Sequence, residues 1–405
     1  MKPWERRLKD LAQLLKNCHA TYFEPELFRM NTNQFLQTAR TVTFLIQKNK
    51  ETIPNYKPWY QAAVIEGWKD DELMTWAKDA RNFIEKEGDL ELYSSLNVRL
   101  IFSYFEEEDV LLEVGNAELL RASIKKLIRI AQKVLPSGIS DGALVKIERR
   151  WVTASLPKWE ILHALNYVYA RLFECCKGLA ILFGDEIDPS IQNLSEGETQ
   201  REKSRHIRYI KLNGLKSYSM YSKTVGVDKA YELPDGLKSI KEQHSETPKT
   251  LSATFEVISK IAEATFEHFG NHKPMLFILD KHWQPIDYLS TEFADQADKF
   301  IFWRVMADRI ANLKAAGFIW IAEAWLKVPP KNNTEAIRHI PAIGERLQVM
   351  AIDKTGVKMQ VSWNILRASK DEKPLLERIE QQDIYKQVGT PHFLRPALIA
   401  LGAEN

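Results

Sequence analysis

Apolar residues recur at intervals of three and four through residues 1–90, the spacing of helices with one buried face. Trp4, Leu8, Leu11, Leu14 and Leu15 predict a first helix, and Phe28, Phe35, Ala39, Val42 and Ile46 predict a second from about Pro25 to Asn49. Proline suits a first helical turn, so Pro25 starts the second helix, and Pro54 falls beyond its end. Tyr56 to Glu66 predicts a short third helix. A fourth is capped by Asp70 or Asp71, carries Leu73, Trp76, Ala80 and Ile84 inward, and stops at Gly88. Four such faces are most economically buried against one another in a bundle.

Beyond Gly88 the pattern changes. Leu92 to Phe105 lacks a helical stripe and reads as strand, Asn116 to Leu135 as helix, and Trp151 to Ser155 as extended. Pro157 to Phe183 is apolar on most sides, which predicts a helix central to its domain. Short β-like pieces, His206–Leu212 and Ser217–Val225, sit in a Gly-, Ser- and charge-rich stretch, and Thr250 to Phe269 returns to helix behind Ser/Thr caps. Met275–Asp280 reads as a strand and Asp280–Pro285 as a turn. An amphipathic helix over Glu292–Ala315 and a strand over Gly317–Leu326, buried on both faces, follow. Arg346–Asp353 and Val357–Leu366 alternate around Lys354-Thr355-Gly356, a hairpin signal.

The expected fold class is α+β: a mainly helical N-terminal bundle, a helix-rich middle, and a C-terminal strand–helix–strand–hairpin domain. The expected divisions are 1–90, 91–184, a basic insertion or linker at 185–249, and 250–405.

Composition alters this picture little. In 405 residues, 45% hydrophobic and 27% charged, a disordered chain is excluded. Fifty-six Lys+Arg against 54 Asp+Glu give a net charge of +2, so any polyanion must meet a local basic patch. The eleven tryptophans are scattered and read as core. Cys18, Cys175 and Cys176 form no C-x-x-C, and with no signal-like apolar run at the N-terminus they read as reduced thiols of a cytoplasmic protein. The longest apolar runs are too short to span a bilayer, so no membrane partner is expected. No P-loop, dinucleotide, nucleophile-elbow or H-E-x-x-H motif occurs, and no cofactor is expected. His268 and His272 are four apart, but Phe269 stands where a metalloprotease has Glu and Gly270 intervenes, so no metal site is expected.

Three places carry candidate chemistry. The first is Arg81-Asn82-Phe83-Ile84-Glu85-Lys86 in the fourth helix. Together with Asn33–Gln47 it resembles the HEPN superfamily of bacterial helical domains, often RNA-cutting, whose motif is Arg-Asn-x-x-x-His. The resemblance implies that Arg81 holds a phosphate and Asn82 orients it. Lys86 stands where that family has His, and a protonated lysine is a poor general base. A degenerate, phosphate-binding version of such a domain in a bacterial defence system is therefore the expectation, ribonuclease-like if it is an enzyme.

The second is the basic stretch Arg201–Lys223. Arg201, Lys203, Arg205, Arg208, Tyr209 and Lys211 combine cations for phosphates with an aromatic for bases, so RNA or single-stranded nucleic acid is the expected partner. The third is Glu323, placed among Ile319, Ile321 and Trp325 on period two. It needs a partner such as Arg346 or Arg304, and with Asp280 it makes an alternative hydrolase site. A non-enzymatic scaffold binding other proteins is the remaining alternative.

Overall fold

Two long helices open the chain: α1 (Pro3–Thr21) buries Leu8, Leu11, Leu15 and Cys18, and α2 (Pro25–Lys48) buries Phe28, Phe35, Val42 and Ile46. The computed structural model describes residues 1–102, 109–112, 122–191, 193–194, 206–214, 234–244, 247–330, 334–367, 373–379 and 392–403. The fold is α+β, in two units. One comprises Met1–Arg99, Leu111–Ala131 and Lys146–Arg208; the other comprises Leu100–Val110, Gln132–Val145 and Tyr209–Asn405. A four-stranded sheet of β1 (Tyr93–Ile101), β2 (Val110–Leu111), β3 (Leu144–Val152) and β4 (Ile207–Lys211) has the order β2-β1-β3-β4.

In the first unit, α3 (Tyr56–Tyr60) runs straight into a π-helical stretch, Gln61–Glu66. Then α4 (Glu72–Lys86) starts on Asp71, whose side chain accepts from the Met74 amide at 3.1 Å, and Gly88, at φ 134°, follows its end. The helix read over Asn116–Leu135 is seen as α5 (Ile124–Val134), most of it in this unit, with residues 113–121 outside the described residues; α6 (Ser137–Ser140), a single turn, belongs to the second unit. The expected central helix is α7 (Ile161–Leu182), which buries twelve residues and packs on α1, α2 and α4. The bundle's fourth long member thus comes from far along the chain, a partnership that no local pattern encodes.

The second unit is built on a six-stranded antiparallel sheet, β10-β9-β8-β7-β5-β6. Its strands are β5 (Met275–Leu279), β6 (Pro285–Ser290), β7 (Gly317–Leu326), β8 (Gly344–Asp353), β9 (Gly356–Leu366) and β10 (Leu375–Arg378). After α8 (Asp235–Gln243), α9 (Leu251–Phe269) lies on one face, where Ile258, Ala262 and Phe266 meet Ile319, Ile321 and Val349. On the other face α10 (Gln296–Asn312) and α11 (Arg395–Leu401) pack Phe302, Trp303 and Met306 against Phe318, Trp320 and Ile352. The N-terminal half of β7 is therefore buried on both faces; the expectation covered the whole strand, and beyond Ile321 it is half-buried with Trp325 exposed.

The strand–helix–strand reading missed β6. A helix between two adjacent strands would make them parallel. By forming a hairpin with β5, β6 reverses the chain before α10, so β7 returns antiparallel to β5. Among the described residues no helix is long and apolar enough to cross a membrane.

Candidate functional site

The first unit holds a cavity of about 370 Å³ between α2, the π-helical stretch, α4 and α7. That is within the size range of small-molecule sites. Leu36, Ala39, Arg40, Thr43 and Gln47 line it from α2, three to four residues apart and hence on one helix face. Met74, Ala77 and Lys78 come from α4, and Val168 and Leu172 from α7. Ala39, Thr43 and Ala77 are small side chains between the helices, and they leave the space that larger ones would fill.

The remaining wall is irregular. The Gly67 amide donates to Ala62 O at 3.0 Å, five residues back, closing a π-helical turn. A Cβ at Gly67 would stand 2.8 Å from Ala63 O, so only glycine fits this turn. Arg171 on α7 donates to Gly67 O at 2.7 Å and, through Nε, to Asp71 Oδ2 at 3.2 Å, while the Tyr167 hydroxyl donates to the same oxygen at 2.9 Å. These bonds pin the end of the π stretch and the start of α4 to α7. They hold Val64, Ile65, Trp68 and Lys69 against the cavity. π-helical insertions are frequent at functional sites.

Polar groups are few. Arg40 Nη1 donates to Thr43 Oγ1 at 2.8 Å, and Gln47 Nε2 donates to the Tyr60 hydroxyl. Among the described residues three cations, Arg40, Lys69 and Lys78, line the cavity, and no carboxylate does. Sequence reasoning placed α2 and α4 in the core but did not find this site. The available signal was polar Arg40, Thr43 and Gln47 recurring beside α2's apolar stripe.

A buried polar cluster elsewhere in this unit was also missed. The Tyr22 hydroxyl lies 2.8 Å from Arg149 O, 3.1 Å from Glu160 Oε1 and 2.7 Å from His206 Nδ1. Glu160 Oε2 caps α7 by accepting from the His163 amide at 3.0 Å. Arg149, 1% exposed, donates to Phe23 O and Ala122 O. Burial pushes the Arg149 guanidinium down to about 10 and holds the Glu160 carboxyl above its ordinary range. The cluster ties the α1–α2 connection to β3 and to the start of α7.

The residues singled out from sequence lie as follows. Arg81 is half-buried, donating to Asn82 Oδ1 at 3.2 Å and lying 3.7 Å from Glu85, its i+4 neighbour; Lys86 is exposed. In the basic stretch, Arg201, Lys203 and Arg205 lie outside the described residues. The exposed Arg208 sits 5.9 Å over the Phe23 ring, and Tyr209 packs half-buried beside Ile101, Leu144 and Phe300. Lys211 is not available to a polyanion. Its side chain is 1% exposed, with Nζ 3.1 Å from Asp295 and 2.6 Å from Asp298. Its charge is consumed inside the fold.

The hydrolase alternative also fails on geometry. Asp280 follows β5 at the end where Leu279 pairs with Gly317, whereas Glu323 lies past the Met275–Ile321 pair at the other end. Six residues of strand separate the two ends, roughly 20 Å. Asp280 instead accepts from the His282 and Gln284 amides in the β5–β6 turn. Glu323 accepts from the His272 amide, and burial holds its carboxyl above the ordinary range. The proposed partners are engaged elsewhere, Arg304 with Asp109 and Arg346 with Asn364. Among the described residues no group of three His, Cys, Asp or Glu could hold a metal ion.

A family model for bacteriophage lambda protein ea47 matches residues 1–211 and 219–394. Protein ea47 of Escherichia phage lambda is 44% identical over 406 residues, covering 100% of this chain and 98% of that protein. No solved structure matches. A match along the whole chain overturns the HEPN resemblance, which rested on one short motif, and with it the bacterial-defence and RNA-binding reading. The chain belongs to the family of bacteriophage lambda protein ea47.

Proposed function

We propose that the helical unit of this phage-family protein is a receptor for a small, mostly apolar molecule seated between α2, the π-helical stretch, α4 and α7. The observation that carries this reading is the cavity of about 370 Å³, floored by Leu36, Ala39, Val64, Met74, Val168 and Leu172 and bordered by a few polar groups. Apolar pockets with a small number of placed polar groups are the usual form of a ligand site. The π turn at Gly67, anchored by Arg171, supports it, because an irregular wall held by specific bonds keeps a space open that regular helices would close. A cytoplasmic site of action accords with three buried, unpaired cysteines.

The test is calorimetric titration of the full chain with 1-decanol, comparing the wild type with Ala39→Phe and, from the opposite wall, Ala77→Leu. The expected result is 1:1 binding that either filling substitution weakens about tenfold or more, the equivalent of about 1.4 kcal/mol. Melting curves identify any variant that has lost its fold. Absence of binding to the wild type, or equal binding by folded variants with the cavity filled, overturns the proposal.

A further inference from the structure

We propose that the ligand of this cavity is an amphiphilic anion, an alkyl chain ending in a carboxylate or phosphate; this rests on the receptor reading above. Charge is distributed unevenly around α4. On one flank, Lys78 joins Arg40 and Lys69 around the cavity, with no Asp or Glu lining it among the described residues. On the other flank, Glu72 and Asp79 line a second cavity with Glu91, and among the described residues no Lys or Arg lines that one. The two cavities flanking the helix thus differ in the sign of the charge they receive from it.

Three arginines of the unit are matched by carboxylates, Arg171 with Asp71, Arg29 with Glu26 and Asp89, and Arg81 with Glu85, while Arg149 donates to carbonyls. Arg40 and Lys69 have no carboxylate partner among the described residues, and the Lys78 ammonium is 3.7 Å from Asp79. Like charges around a partly desolvated space disfavour one another, and an anion among them relieves that cost. Thr43, Gln47 and Tyr60 add hydrogen-bonding groups on the same side, while Leu36, Val64, Ile65, Met74, Val168 and Leu172 offer the alkyl chain an apolar path. At roughly 30 Å³ per water-sized group, 370 Å³ accommodates a molecule about the size of decanoate.

The experiment titrates the full chain with decanoate, decyl phosphate and 1-decanol, each below its micelle-forming concentration. At least one anion should bind about tenfold more tightly than the alcohol, the effect of one good charge-assisted hydrogen bond. Arg40→Gln with Lys69→Gln should bring the affinity for the anions down to that for 1-decanol measured on the same variant. Added salt should also shrink the preference, because the cations are partly exposed. A preference for decyl phosphate over decanoate, or the reverse, names the headgroup. If 1-decanol binds as tightly as both anions, the inference is wrong and the receptor reading stands. If none of the three binds, both fall.

Discussion

Replacing Lys211 with methionine tests whether a cation from the most basic stretch of the sequence is buried. Its ammonium faces two carboxylates, at 3.1 Å from Asp295 and 2.6 Å from Asp298, and the three side chains are 1%, 0% and 6% exposed. The second negative charge is met by backbone. Asp295 caps α10 by accepting from the Asp298 amide at 3.0 Å, and Asp298 accepts from the Ala294 amide at 2.9 Å. Both carboxylates sit at a helix N-terminus, where negative charge is favoured. Methionine keeps most of the lysine stem and removes only the charge. Removing one partner of a buried ion pair costs about 3–5 kcal/mol, because the remaining charge loses its counter-ion. At about 2–4 °C per kcal/mol for units of this size, the melting temperature should fall by roughly 6–20 °C. Far-UV circular dichroism melts measure it. Adding Asp298→Asn to Lys211→Met should recover part of the loss, since it removes one of two facing anions. A Lys211→Met variant within about 1 kcal/mol of wild type, the range of exposed pairs, would refute the argument. Strict additivity in the double variant would also refute it.

Three further outcomes follow from buried groups. Burial holds the Glu160 carboxyl above its ordinary 4.5, so its contribution to stability is present at low pH and is lost as pH rises through the folded value. The melting temperature of Glu160→Gln should therefore gain on wild type from about pH 4 to about pH 8, and a gap that narrows would contradict this. Burial pushes Lys299, beside the Phe293 and Phe393 rings, down to about 8 from 10.5. Its contribution is then lost as pH falls through that window, and Lys299→Met should gain on wild type between pH 10.5 and 8 and hold level below; a pH-independent difference counts against it. Burial pushes the thiols of Cys18 and Cys175 up to about 12, and that of Cys176 upward too. A disulfide reagent should label them only after denaturation, and labelling of the folded chain would show that these sites open.

The long helices were legible because an amphipathic face is local information. The spacing Phe28, Phe35, Val42, Ile46 needs no knowledge of what covers it, and all four are buried. The same holds for the first half of β7, where the apolar run from Phe318 to Ala322 announces cover on both faces. Edge strands carry a weaker signal. In β6, Leu289 is buried while Ile286 and Tyr288 are exposed, and a six-residue strand beginning at proline reads as the rest of a turn. Missing it changed the expected topology, since one extra reversal decides whether neighbouring strands run parallel or antiparallel. Partners distant in sequence were not legible at all. Lys211 meets Asp295 84 residues away, and nothing in a run of lysines and arginines marks which of them is buried.

The cavity was missed for a different reason, one that lies in how helical periodicity is read. An apolar stripe identifies the direction of the core, and α4 has such a stripe in Leu73, Trp76, Ala77 and Ala80. The polar residues bordering that stripe are then all assigned to solvent. Yet a stripe has two borders, and in α4 they differ. Glu72 and Asp79, seven apart, fall on one border, and Lys78, the residue before Asp79, falls on the other beside Met74. Hydropathy treats Glu and Lys alike, so it cannot separate the borders; only the sign of the charge does. Arg40 and Gln47 on α2, also seven apart, mark a polar border of the same kind facing the Lys78 side. Two helices whose facing borders carry cations without acids are a pattern the sequence contains, but it becomes a site only when the fold shows which borders face each other.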